Sequence, residues 1–210
     1  MKNLIFLAIT FIFINFAFLG CQTPALALPN EPTRLHNLNN GLIFGSITFP
    51  KERARFTSYF IQVRSLNDSL KIAKKNAKEI YVNPELVFGT KHVGQLDNGK
   101  TYLFVLERPA DNYEISGIRL FTNSGIQILQ KNGNVAGFTI PFKVTEKKIT
   151  YVGNLVFDEY AAETDTVIRY KNNFERDSKA LRELKSNIDW TQAENDTTRK
   201  IKYQSFNAKL

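Results

Sequence analysis

One cysteine, one methionine, one tryptophan and two histidines are all that these residue types contribute to 210 positions. A lone thiol, Cys21, permits no internal disulfide, so the folded part must be held by packing. The 17 Phe and 8 Tyr supply large apolar areas for that purpose. His36 sits in a stretch rich in Pro and Asn, and His92 at the end of an apolar run. No cysteine lies near either, so local spacing assembles no zinc site. Ser46, Ser58 and Ser116 stand outside any Gly-x-Ser-x-Gly elbow, and no glycine loop opens a helix to cradle a phosphate. Long apolar runs are equally scarce. Leu4 to Leu19 covers 16 residues, is interrupted by Asn15, and falls short of the ~20 that a spanning helix requires.

That single run follows one basic residue, Lys2, and ends at Gly20-Cys21, the layout of a secretory signal. Phe18-Leu19-Gly20-Cys21 resembles the lipobox of bacterial lipoproteins. The resemblance implies that the Cys21 thiol receives a diacylglycerol, that the bond before it is cut, and that the protein is anchored in a bacterial envelope, with the outer membrane as the expected site. A competing reading takes Ala25-Leu26-Ala27 as a small-x-small cleavage site, releasing a soluble protein that starts at Leu28 and lacks Cys21. The lipoprotein reading is preferred because Gly20-Cys21 abuts the apolar run, whereas Ala27 lies well past it.

The formal net charge is +8, and only Lys2 of that excess falls within residues 1–20. A basic exported chain suits anionic partners: phospholipid or lipopolysaccharide head groups, acidic glycans or teichoic-type polymers. Another envelope protein is the remaining candidate partner, and export argues against nucleic acid. Residues 21–40 hold Pro24, Pro29 and Pro32 with Asn37, Asn39 and Asn40. Proline removes backbone donors and fixes φ, so a flexible tether is expected there.

From Gly41 the pattern turns to short apolar and aromatic runs separated by turn residues, as in an all-β domain. Strands are expected near Leu42 to Phe49, Phe56 to Arg64, Leu86 to His92, Thr101 to Glu107 and Tyr113 to Phe121. Others are expected near Ile126 to Gln130, Val135 to Val144, Lys148 to Asp158 and Asp165 to Tyr170. Asp97-Asn98-Gly99, Pro109 to Asn112, Asn123-Ser124-Gly125 and Asn132-Gly133-Asn134 read as turns, because Asn and Gly accept positive φ. Alternation along the run from Lys148 puts Ile149, Tyr151 and Gly153 on one face and Thr150, Val152 and Asn154 on the other, with Tyr151 buried.

Two segments read as helices. Leu66, Leu70, Ala73, Ala77 and Ile80 recur at helical spacing, with Lys71, Lys74, Lys75 and Lys78 opposite them. The functional reading of those lysines is a basic surface lying on anionic membrane or polymer. The plainer one, preferred on sequence, is a solvated face on a helix that caps the core. In residues 171–190, Phe174, Leu181, Leu184 and Ile188 form one apolar stripe, Asn172 or Asn173 can cap the start, and Glu175 and Asp177 suit the positive end of the dipole. That helix is expected to dock on the domain's own sheet, and residues 191–210 to form a polar tail.

Gly41 to Ile47, the strand and turn from Thr101 through Pro109-Ala110-Asp111-Asn112-Tyr113 to Ile115, and Pro141 to Val144 followed by Ile149 to Leu155 carry a resemblance. They are similar to uncharacterised bacterial envelope lipoproteins whose domain is a prealbumin-like sandwich, related in architecture to carboxypeptidase regulatory domains. The resemblance implies a fold and brings no activity with it. The expectation is an antiparallel β-sandwich over residues 41–170 with a C-terminal α-helix, non-enzymatic, without cofactor or metal, acting as a binding or structural component of the envelope. Asp158-Glu159 with Glu163 and Asp165 lacks the spacing of a calcium loop, and Asn195-Asp196-Thr197 means little as an acceptor in a bacterial protein. The alternative is an envelope hydrolase whose carboxylates converge only in three dimensions.

Overall fold

A computed structural model describes residues 25–26, 37, 39–86, 89–122, 131–162, 166–197 and 201–203. The expected strand at Ile126 to Gln130 and the turn at Asn123 to Gly125 lie outside them.

In chain order the elements are β1 (Ala25–Leu26), β2 (Asn40–Thr48), β3 (Ser58–Ser65), α1 (Leu70–Asn76), β4 (Lys78–Val82), β5 (Thr101–Pro109) and β6 (Asp111–Thr122). Then come β7 (Lys131–Val135), β8 (Phe138–Val144), β9 (Ile149–Phe157), β10 (Ile168–Lys171) and α2 (Phe174–Leu184). A turn of 3₁₀ helix (Trp190–Gln192), β11 (Ala193–Asn195) and β12 (Lys202–Tyr203) are the last elements among the described residues. The strands form a β-sandwich. One sheet runs β1-β4-β3-β6-β8-β12, with β7 also on β6, and the other runs β10-β9-β2-β5, with β11 also on β9. Most pairs are antiparallel, but β2 and β9 run parallel in the middle of their sheet. Between the sheets lies one apolar core, including Ile43, Ile47, Tyr59, Ile61, Phe104, Phe142, Val152 and Phe157. A second, smaller core sits on the other side of the β2–β9 sheet, where Phe44, Leu103, Val105 and Tyr151 meet Ala180, Leu181 and Trp190.

α2 therefore docks on the chain's own sheet. Phe174, Leu181 and Ile188 face that second core as the stripe implies, while Leu184 stays 49% exposed. The Asn172 side chain accepts the Phe174 N–H at 3.1 Å, which satisfies one of the free donors of the first turn.

The expected alternation of β9 breaks at Gly153. Phe44 stands opposite Tyr151 but Ser46 opposite Asn154, so β9 carries one extra residue, a bulge. Gly153 adopts φ +101°, and the Tyr170 ring lies 2.1 Å from where a Cβ would sit. Only glycine meets both conditions. Tyr151 is fully buried as expected, against α2, and Val152 points into the sandwich. Past the bulge, Leu155 and Phe157 take over the sandwich face, and Asn154 turns to the α2 side beside Ser46.

Other departures have equally local causes. Of the expected strand Leu86 to His92, residues 87–88 lie outside the described residues and the described ones form no strand; Glu85 and Lys91 pair by exchanging both backbone hydrogen bonds, at 2.8 and 3.0 Å. Val135 to Val144 divides at Ala136-Gly137, with Gly137 at φ +86°. Asn132 to Asn134, read as a turn, belongs to β7, since pairing with Arg119, Leu120 and Phe121 of β6 overrides the local preference. The short helix read from the spacing of Leu66 to Ile80 is the seven residues of α1, and its last expected apolar position, Ile80, belongs to β4 inside the core. The stretches taken as tether and tail are stitched to the sandwich in their described parts: β1 pairs with β4, β11 with β9 and β12 with β8.

Candidate functional site

Beneath α2, helix and sheet meet through hydrogen bonds around Asp177. Its fully buried carboxylate accepts from Ser46 Oγ at 2.5 Å and Tyr151 OH at 2.8 Å on one oxygen, and from Arg176 Nε at 2.8 Å on the other. Arg176 also reaches Asp97 at 2.7 Å and Ser46 Oγ at 3.1 Å. Asn154 Nδ2 donates to Ser46 at 2.6 Å and to Thr48 at 2.8 Å. Thr48 and Thr101 are 2.7 Å apart, and Thr101 donates to Asp97 at 2.7 Å. The Asn154 Oδ1 is buried without a partner among the described residues. Burial, together with the Asp177 charge and hydrogen bond, raises the Tyr151 pKa far above the ordinary phenol value. Ser46 is fully buried here, with its proton committed to Asp177, so the arrangement fixes the helix rather than presenting a nucleophile.

A second network closes one end of the sandwich. Glu159, buried just past β9, accepts from the Tyr59 hydroxyl, from the Arg55 N–H at 2.9 Å and from His92 Nε2 at 3.0 Å. His92 Nδ1 lies 3.3 Å from the Tyr102 hydroxyl, which in turn accepts the Val93 N–H at 2.9 Å. Phe49 stacks on the imidazole with centroids 3.8 Å apart. Burial pushes the Tyr102 pKa up to about 12, and burial with the Glu159 charge raises Tyr59 further. His92 is thus a packed side chain, fully buried in this network.

The exposed chemistry is at the opposite edge, where α1 leads into β4. A cleft of about 380 Å³ is lined by Gln62, Val63, Arg64, Ala77, Lys78 and Glu79. Burial and the neighbouring Arg108 charge lower the Lys78 pKa, and burial lowers that of Arg108, whose Nε is buried without a partner among the described residues. The acids beside the cleft are already committed. Glu79 takes two hydrogen bonds from Arg119, at 2.8 and 2.7 Å, and Glu114 pairs with Arg64. Arg119 also lies over Phe60, 4.8 Å from the ring centroid, and Phe60 stacks on Tyr81. Cations thus dominate this corner. α1 adds Lys71, Lys74 and Lys75, and next to them Leu66, Leu70 and Ile72 are 44, 76 and 45% exposed. The sequence had put Leu66 and Leu70 on a packed face. They are outward because α1 turns Asn76 and half-buried Ala73 inward instead.

Of the residues singled out from sequence, Cys21, His36, Glu163 and Asp165 lie outside the described residues. Ser58 contacts the Tyr81 hydroxyl at 3.2 Å, Ser116 is the extra residue of a second bulge in β6, and Asn195 Oδ1 is occupied by Thr197. No group of three potential metal-ligating side chains occurs among the described residues, and none of their helices is long and apolar enough to cross a membrane. The Asp177 and Glu159 networks were not read from sequence. Their members are scattered, and the only local hint was a glycine inside an otherwise alternating strand.

No family model matches the chain, and no curated protein matches it. Among solved structures it is similar to a leucine-rich repeat protein from Bacteroides thetaiotaomicron, at 14% identity and a TM-score of 0.33. The match covers 70% of this chain and 16% of that one, so the chain spans about a sixth of the neighbour's length.

Proposed function

We propose that the protein is a lipid-anchored, non-enzymatic binding or structural component of a bacterial cell envelope, held in the outer membrane through Cys21. The observation that carries this reading is β1. Ala25 and Leu26 pair with Ile80 and Tyr81 on the edge of a sheet. A cut after Ala27 would remove that strand and bare the β4 edge, whereas a cut before Cys21 keeps it. The lipobox and β1 therefore favour the same mature chain.

The binding role rests on where carboxylates are satisfied inside the fold and where cations gather at its surface. The buried carboxylates of Glu159 and Asp177 are each satisfied by three internal donors that hold the sandwich and α2 together. The α1–β4 corner carries surplus positive charge at the surface, which suits an anionic envelope polymer, lipid head groups or an acidic face of another envelope protein.

Growth with labelled palmitate tests the anchor. Wild type should be labelled and Cys21→Ala should not, because only the thiol forms the thioether. Equal labelling of both, or a mature N-terminus at Leu28, would refute it.

A further inference from the structure

We infer that α1 and the residues leading into it are a bilayer-contacting face that lays the domain on an anionic membrane surface beside its own lipid anchor. The inference rests on the lipid-anchor reading and adds an orientation to it.

Three observations converge. Among the described residues six large hydrophobic side chains are exposed, and three of them, Leu66, Leu70 and Ile72, fall within seven positions of one another. At about 3.6 residues per turn, Leu70 and Ile72 flank Lys71, Lys74 and Lys75 on the outward arc of α1. Lysines at the centre of that arc suit anionic head groups, and the apolar side chains at its margins, with Leu66 beside them, suit the acyl boundary at the edges of the contact. A soluble anionic polymer would match the lysines and leave the leucines unexplained.

The third observation is geometric. β1 runs parallel to β4, with Ala25 opposite Ile80, so it enters from the Lys78 end of β4, the end where α1 stops. Ala25 is four residue steps from Cys21, a span of at most ~14 Å at full extension. A lipid on Cys21 therefore brings the bilayer surface to the neighbourhood of α1 and the cationic cleft, and away from α2 on the opposite sheet. The anchor supplies the affinity, so α1 needs only to choose which face of the domain meets the membrane.

The test uses the full chain, exported and acylated in its host and then reconstituted in vesicles of phosphatidylethanolamine with either phosphatidylglycerol or phosphatidylcholine. Once Cys21 is acylated, Leu70→Cys or Glu183→Cys provides the one free thiol for a fluorophore, and brominated lipids report its proximity to the acyl chains. The label at position 70 should be quenched several-fold more than that at position 183, and more strongly with phosphatidylglycerol. Combining Leu70→Cys with Lys71→Glu and Lys74→Glu should reduce the difference to near nothing while far-ultraviolet circular dichroism stays unchanged. Equal quenching at the two positions would overturn the inference. So would quenching at position 70 that ignores both charge reversal and lipid charge. A free thiol at Cys21, detected by titration and mass, identifies failure of the anchor reading instead.

Discussion

Replacing Asp177 with alanine should loosen α2 from its sheet and cost about 4 kcal/mol. The carboxylate is fully buried and accepts the Ser46 and Tyr151 hydroxyls, both of which are themselves buried. Each hydroxyl left without an acceptor costs ~1–3 kcal/mol. Arg176 adds little, because it is a third exposed and keeps its 2.7 Å contact to Asp97. At ~2–4 °C per kcal/mol for a domain of this size, the melting temperature should fall by roughly 10 °C. The single tryptophan reports the helix directly: Trp190 is buried edge-on to Phe44, at 5.3 Å, so undocking should redden its emission. A double-mutant cycle isolates the hydrogen bond. Tyr151→Phe alone should cost ~1 kcal/mol, but on top of Asp177→Ala it should cost less, since the hydroxyl proton has then lost its acceptor and the oxygen keeps only the Asn173 N–H, at 3.2 Å. An additive cycle, or an Asp177→Ala protein that melts with wild type, would refute the reasoning.

Gly153→Ala should destabilise by at least ~2 kcal/mol, as the residue is held at φ +101° against the Tyr170 ring, whereas Gly133→Ala, whose added Cβ would sit 3.3 Å from Leu120 and require it to move only slightly, should cost much less. Equal effects of the two substitutions would show that the β9 bulge does not depend on glycine. At high pH the tyrosines decide: Tyr102, Tyr113 and Tyr170 are raised to about 12 by burial, and Tyr59 and Tyr151 further. A folded-state pKa above the unfolded value of ~10 gives stability that is fully present below pH ~10 and is lost as pH rises toward 12. The urea midpoint should hold level up to about pH 9 and then fall, with the tyrosinate absorbance of these five appearing together with unfolding. Ionisation of these five near pH 10 in a still-folded protein would contradict this.

What the sequence disclosed depended on whether the signal was local. Asp97-Asn98-Gly99 declares a turn because its residues tolerate the positive φ they adopt. The period of Phe174, Leu181 and Ile188 declares a docked helix because those side chains seek the same surface. Leu66 to Ile80 misled because a helical spacing was carried across two elements. Lys78 to Val82 alternates as a strand, and reading Ile80 and Val82 together would have ended the helix earlier. The contact of Ser46 with Asp177 spans 131 positions, and neither residue type marks a core site on its own. Nothing short of the assembled sheet reveals that pairing, although the Gly153 bulge that re-aims Asn154 does leave a trace as a glycine in an apolar run.

The parallel pairing of β2 with β9 also bears on how the chain reaches this structure. Leu42 lies opposite Ile149, more than a hundred residues on, while β3, β4 and β6 find one another within a much shorter stretch. Closing the longer loop costs more chain entropy and comes later, so the β3-centred sheet should assemble first and the β2-centred sheet last. A polypeptide emerging N-terminus first would hold β2 with one edge bare until β9 arrives. Over that interval its run Leu-Ile-Phe-Gly-Ser-Ile is open to pairing with a neighbouring chain, which makes the rate of synthesis and the presence of a holding chaperone the factors that govern yield.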